Sequence, residues 1–147
     1  MQLTNYIDDE KCEVAIRIAE ISLGSITLKD ENYDFCRDTI ELCREWLRQK
    51  KISKVDILER ASSHGRAIAD IVMEIEDYEL ANKYGSILTC VLYIAWQAYN
   101  YEEDYYYPQE LELMDDDELE TLIEELLEEG TLQKQDFENI LKNGDKG

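Results

Sequence analysis

Glycine, proline and basic residues are all scarce in this chain of 147 residues, which has six glycines, one proline and 15 lysines or arginines against 35 acidic residues. The shortage of turn-forming residues argues against a β-rich fold. The formal net charge of −20 argues against direct binding to nucleic acid or to anionic membranes, because both attract lysine and arginine. Hydrophobic residues make up 44 % of the chain, which is enough for a folded core and too much for a disordered acidic tail.

The sequence also has little that could perform catalysis or bind a cofactor. The single histidine is His64, and the residue three positions before it is Ala61, where a di-metal bundle motif needs a glutamate. A calcium loop starting at Asp115 fails, because its fifth position is Leu119 and its sixth is Glu120 instead of glycine. The glycines form no phosphate-binding loop. We therefore expect no enzyme, no cofactor and no metal site.

Four cysteines, Cys12, Cys36, Cys43 and Cys90, raise the question of disulfides or zinc. None of them forms a C-x-x-C pair, which a zinc site usually needs. The N-terminus shows no basic region followed by an apolar run, so we expect no secretory signal and a cytoplasmic protein. In that compartment the four thiols are expected to be free and buried.

Apolar side chains recur at helical spacing along most of the chain and predict a single all-α domain over residues 1–147. We expect a bundle of about six or seven helices around a central apolar helix. That central helix runs from Tyr84 to about Tyr101 and contains no charged residue. Its length and polar residues favour a core helix over a membrane span. The other helices are predicted from about Asp8 to Gly24, Tyr33 to Gln49, Ser53 to Ala61, Ile68 to Ile75, Asp115 to Gly130, and around Phe137.

Negative charge is concentrated in one part of the chain, because residues 84–133 hold 14 acids and no base. In the predicted helix from Asp115, like charges recur at i,i+4 spacing, for example at Glu124 and Glu128, and each such pair costs about 0.2–0.5 kcal/mol. A solvated helix face explains such a run only in part, so we interpret it as an interaction surface for a cationic partner. Exposed charges at the edge of a protein interface add little affinity, and tyrosines next to the acids, including Tyr105, could supply it.

Two sets of motifs resemble known families. Trp96-x-x-Tyr99, the run Tyr107-Pro108-Gln109-Glu110-Leu111-Glu112 and the acidic helix start at Asp115 resemble the mostly helical immunity proteins of bacterial polymorphic toxin systems, in particular immunity family six. The order of upstream helices, with Trp46-Leu47 before Lys50-Lys51, is similar as well. Separately, Tyr106-Tyr107-Pro108 near the aspartate triplet resembles a short stretch of the immunity proteins of nuclease colicins.

Both resemblances imply a cytoplasmic protein that binds a cognate basic toxin domain, such as a nuclease, and blocks it without catalysis. The resemblance to the colicin immunity proteins implies that Tyr106 and Tyr107 are anchors, with complementary charge beside them. With the charge argument above, the expected partner-binding residues are Glu102, Glu103, Asp104, Tyr105, Tyr106, Tyr107, Asp115, Asp116, Asp117, Glu124 and Glu128. The sequence leaves two alternatives open, namely an acidic mimic of nucleic acid that inhibits basic proteins generally, and an acidic structural or scaffold protein without a toxin partner.

Overall fold

The computed structural model describes the backbone of residues 2–62 and 66–145, and side chains as far as residue 142. Within these residues the chain forms helices and no strand, which confirms the all-α prediction. The seven helices are α1 (Asp8–Gly24), α2 (Glu31–Gln49), α3 (Lys54–Ser62), α4 (Ile68–Glu74), α5 (Tyr78–Tyr101), α6 (Asp116–Glu129) and α7 (Lys134–Asp145). Two 3-10 turns, Leu3–Asn5 and Gln109–Leu111, complete the described secondary structure.

The central helix of the bundle is α5, as the sequence predicts. It packs against α1, α2, α3, α4 and α6 and buries Ile87, Val91, Ile94 and Ala98. It begins six residues earlier than predicted, because the carboxylate of Asp77 caps it by accepting the backbone N–H of Leu80 at 3.1 Å. None of the helices in the described ranges combines the length and the apolar character needed to cross a membrane.

Side-chain caps decide where several other helices begin and end. Asp30 accepts the backbone N–H groups of Asn32 and Tyr33, so α2 begins two residues before the predicted start. Asp115 caps α6 by accepting the N–H of Glu118 at 3.1 Å. Gly130 ends the same helix with φ of 83°, a left-handed conformation that glycine adopts without a steric penalty.

The hydrophobic core takes side chains from all seven helices. On α3, Ile57 is buried and Val55 is 44 % exposed. On α5, Leu88, Leu92 and Trp96 are only half-buried, since the opposite side of that helix meets α1. Residues 63–65, between α3 and α4, lie outside the described residues, and they include the single histidine, His64.

Leu111 and Leu113 alternate with Glu110 and Glu112, and this pattern predicts an extended connection between α5 and α6. The structure shows a connection that is not extended throughout. Residues Gln109–Leu111 form a 3-10 turn that follows Pro108 and packs on α5. The turn buries Leu111 completely and leaves Leu113 86 % exposed. Residues two positions apart in an extended strand share one face, so the difference between the two leucines contradicts the extended prediction and follows from the 3-10 turn.

Candidate functional site

The outer side of α6 is a continuous carboxylate surface. Its exposed residues are Asp117, Glu118, Thr121, Glu124, Glu125, Glu128 and Glu129, and we call this set the acidic face. At 100° per residue these positions fall within about 140° of the helix circumference, over a length of about 18 Å. The opposite side carries Leu119, Leu122, Ile123 and Leu126, which are buried in the core. The six carboxylates of the acidic face therefore point to one side of α6.

Few of the 14 acids in residues 84–133 meet a cation. Among the described residues, only Glu102, Asp104 and Asp116 of this set form ion pairs. None of the six carboxylates of the acidic face has a lysine or arginine nitrogen of the described chain within 4.0 Å. The charge that the sequence concentrates on α6 thus remains largely uncompensated in the fold.

By contrast, several carboxylates of α1 are matched by cations of this chain. Arg44 of α2 binds Glu13 and Glu20 of α1, with N–O distances of 3.1 and 2.9 Å. Lys50 reaches Asp9 at 2.9 Å. These carboxylates of α1 have cations of α2 and the residue after it beside them, whereas the carboxylates of the acidic face have none among the described residues.

Four tyrosines lie around the turn that leaves α5. Tyr106 is 93 % exposed, Tyr105 is 63 % exposed and Tyr101 is 59 % exposed. Tyr107 is half-buried, donates a hydrogen bond from its hydroxyl to the side-chain oxygen of Asn100, and packs edge-on against Tyr99 with 6.5 Å between ring centroids. The Tyr101 ring packs edge-on against Trp46, with 6.3 Å between ring centroids, and has the Lys50 ammonium over it at 5.2 Å. The most exposed rings of the turn are therefore those of Tyr105 and Tyr106.

The acids of this turn are partly held by Lys54 at the start of α3. Its ammonium lies 3.0 Å from Asp104 and 3.3 Å from Glu102. The hydrogen bond from Lys54, helped by the backbone N–H of Tyr106, lowers the pKa of Asp104 below its ordinary value. Between the two bound carboxylates, Glu103 is exposed and adopts φ of 57°, so the turn presents one unmatched acid beside its tyrosines.

Asp116, also predicted to bind a partner, is turned into the molecule. Its side chain is 16 % exposed and accepts from Lys11 at 2.9 Å and from the hydroxyl of Tyr93 at 2.7 Å. Tyr93 in turn accepts from Gln97, which completes a network between α1, α5 and α6. Burial, and then the bond to Asp116, raise the pKa of Tyr93, so the hydroxyl remains a donor at neutral pH. Asp115, which caps α6, is exposed.

The predicted residues therefore fall into two groups instead of one cluster. One is the turn from Tyr101 to Tyr107, and the other is α6 from its cap to Glu129. No hydrogen bond or ion pair between described side chains joins the two groups. The exposed Leu113 lies in the segment between them and adds an apolar side chain that the sequence analysis did not assign to the surface, although its position next to Glu112 was visible.

Beside the acidic face lies a groove that sequence reasoning missed. We call it the α5–α6 groove: α5 contributes Tyr78, Asn82 and Ser86, and α6 contributes Leu126 and Glu129. Tyr78 is 80 % exposed at its rim. The residues that form it are about 40 to 50 positions apart in sequence, so spacing alone gives no signal for it.

The cysteines offer no reactive centre. All four are free and buried. Burial raises the pKa of the Cys36 thiol, and that of the Cys43 thiol, to about 12, and it raises those of Cys12 and Cys90 further. These thiols are protonated at neutral pH and shielded from solvent, as the sequence analysis expects.

An all-α bundle that displays an uncompensated carboxylate helix and exposed tyrosines has the features of a protein-binding molecule. The family model for Immunity protein Imm6 matches residues 10–146. The chain belongs to this immunity protein family, which confirms the resemblance seen in the sequence. Comparisons with curated proteins and with solved structures give no match. Membership in an immunity protein family implies a cognate toxin as partner.

Proposed function

We propose that this chain is a cytoplasmic immunity protein of a polymorphic toxin system, which binds a basic toxin domain, such as a nuclease, through the acidic face and the tyrosines of the turn after α5. Binding occludes the toxin, and the immunity protein catalyses no reaction. The observation that carries the proposal is the acidic face itself, whose six carboxylates have no cationic partner among the described residues.

The physical argument divides the work between charge and aromatic area. Concentrated negative charge attracts a basic partner over a distance and can raise association rates by roughly 10–10³-fold. Exposed rim charges contribute little affinity, whereas tyrosines are frequent hot spots because a large ring is buried at a small cost in rotamer entropy. Glu124 and Glu128 would thus govern association, and Tyr106, with its almost fully exposed ring, would govern dissociation.

Asp116 and Tyr107 have a different place in the proposal. Both are engaged by side chains of this chain, so they would position the surface instead of contributing free groups to it. Asp116 fixes the first turn of α6 to α1 and α5, and Tyr107 fixes the turn whose tip is Tyr106. The remaining predicted residues, Glu102, Glu103, Asp104, Tyr105, Asp115 and Asp117, complete the proposed surface.

The test starts from the neighbouring gene, where we expect a large secreted protein with a variable C-terminal domain. That domain, in catalytically inactive form, should bind the immunity protein with an association rate that falls at least tenfold between 50 mM and 500 mM NaCl. Unrelated basic proteins such as lysozyme should bind weakly. Comparable binding to all basic proteins would instead favour the nucleic-acid mimic, and the absence of any basic partner would favour the scaffold alternative.

A further inference from the structure

We propose that the α5–α6 groove receives an arginine side chain of the cognate toxin domain, and this inference rests on the proposed function. The deeper part of the groove has a volume of about 270 Å³ and is bounded by Ser22 of α1, Glu79 and Lys83 of α5, and Thr131 after α6, together with the groove residues named above. A second part, of about 500 Å³, continues along Gly85, Thr89 and Glu125. The groove thus opens directly beside the acidic face.

Its charge and its rim suit a guanidinium. Glu79, Glu125 and Glu129 are exposed carboxylates around it, against the single lysine Lys83 among its lining residues. That lysine donates to the backbone carbonyl of Ser25 at 3.0 Å, so it does not pair with the three carboxylates. Tyr78 offers a ring face at the rim, on which a planar cation can stack.

An independent observation at the bottom of the groove points to a hydrogen-bonding ligand. Ser22 is 1 % exposed, and its hydroxyl has no hydrogen-bond partner among the described residues. Buried hydroxyls are nearly always paired, because leaving one unpaired costs its full desolvation. The neighbouring Ser86 hydroxyl, by contrast, is bound to the carbonyl of Asn82 at 3.0 Å. A guanidinium has five N–H donors, enough to reach the Ser22 oxygen and a carboxylate together.

Gly85 makes a steric test possible. A Cβ placed on this residue meets no atom within 4 Å, so a longer side chain there extends into the groove without a clash at its base. Methionine is also a better helix former than glycine. Gly85→Met should therefore fill the groove and leave the helix intact.

The probe for the groove itself is Nα-acetyl-arginine methylamide, with the citrulline analogue as its uncharged isostere. We expect the arginine compound to shift the backbone amide resonances of residues 78–89 and 125–131 saturably at 20 mM NaCl, and the citrulline compound to bind at least fivefold more weakly. Glu125→Gln with Glu129→Gln should weaken the arginine compound at least fivefold, and Ser22→Ala about threefold. The matched control, Glu124→Gln with Glu128→Gln, removes the same charge from the same helix and should change this affinity by less than twofold. Equal shifts with citrulline, or equal losses in the control, would overturn the proposal.

Binding to the toxin domain separates this inference from the proposed function. Gly85→Met should accelerate dissociation of the toxin domain at least tenfold, whereas the control pair should mainly slow association. If the toxin domain binds the wild type tightly and Gly85→Met binds equally well, the groove assignment is wrong and the proposed function stands. If no basic toxin domain binds the wild type, the proposed function and the toxin as occupant both fail, whatever the arginine probe shows.

Discussion

Replacing Glu128 by lysine should make the protein more stable and a slower binder of its toxin. Glu128 lies in the last turn of α6, where the helix dipole disfavours an anion, and four residues after Glu124, which carries the same charge. The substitution Glu128→Lys removes one like-charge pair, gives Glu124 an oppositely charged neighbour in the favourable i,i+4 orientation, and places a cation at the negative end of the helix. It thus reverses two unfavourable interactions at once.

The expected gain can be worked from these contributions. Losing the repulsive pair and gaining the attractive one are each worth about 0.2–0.5 kcal/mol. Removing the anion from the last turn and placing a cation there each add about 0.3–1 kcal/mol through the helix dipole. Because the site is exposed, we take the low end, and expect about 1 kcal/mol, or a rise in Tm of roughly 2–4 °C for a protein of this size.

Thermal unfolding by circular dichroism at 20 mM and 500 mM NaCl measures this gain, which should shrink at high salt. Stopped-flow association with the inactive toxin domain at low salt should be slower by roughly threefold to tenfold. Glu45→Lys on α2 is the control, since Glu45 is exposed and the change in net charge is the same. A lower Tm, or association as fast as in the control, would refute the reasoning that α6 keeps unfavourable charge for binding.

The other predictions concern the tyrosines, the Asp116 network and the thiols. Tyr106→Ala should weaken toxin binding by about 1 kcal/mol or more, mainly through faster dissociation, and should leave Tm unchanged. Tyr107→Ala should weaken binding and also lower Tm. Surface plasmon resonance measures the dissociation, and calorimetry measures Tm. Asp116→Ala should lower the free energy of unfolding by about 1.5–3 kcal/mol, because Lys11 and Tyr93 lose a charged partner. Unfolding in urea should still be a single transition if residues 1–147 form one domain. The four thiols should not react with Ellman's reagent in the native protein and should all react in 6 M guanidinium chloride; fast reaction of the native protein would contradict their burial.

Periodicity and capping residues predicted most of the fold, because both are local properties. The start of α6 at Asp115 and its end at Gly130 follow from a side-chain cap and a left-handed glycine, and the sequence shows both. The start of α5 was missed because polar residues from Tyr78 to Lys83 hide the helix from an analysis based on apolar spacing. The 3-10 turn after Pro108 was missed because Leu111 and Leu113 alternate with glutamates as they would in a strand, although only Leu111 is buried in the core.

The candidate site was predictable where it lies on one helix and not where it depends on several. The acidic face follows from a single periodic segment, so the sequence alone could place Glu124 and Glu128 on it. The inward orientation of Asp116 depends on Lys11 and Tyr93, which are more than 20 residues away in sequence. The α5–α6 groove depends on the same kind of long-range packing, because it exists only where two helices and the end of α1 meet.

The division between the two sides of α6 explains how the fold tolerates its charge. Leu119, Leu122, Ile123 and Leu126 are at most 8 % exposed, and burying each such side chain contributes about 1.5–3 kcal/mol. The like-charge pairs on the other side cost only tenths of a kcal/mol each. The core side of the helix therefore stabilises α6 far more than the acidic face destabilises it. Under the proposed function, selection keeps six carboxylates there for association with a basic partner, because their removal would add only a little to a stability that the core already supplies.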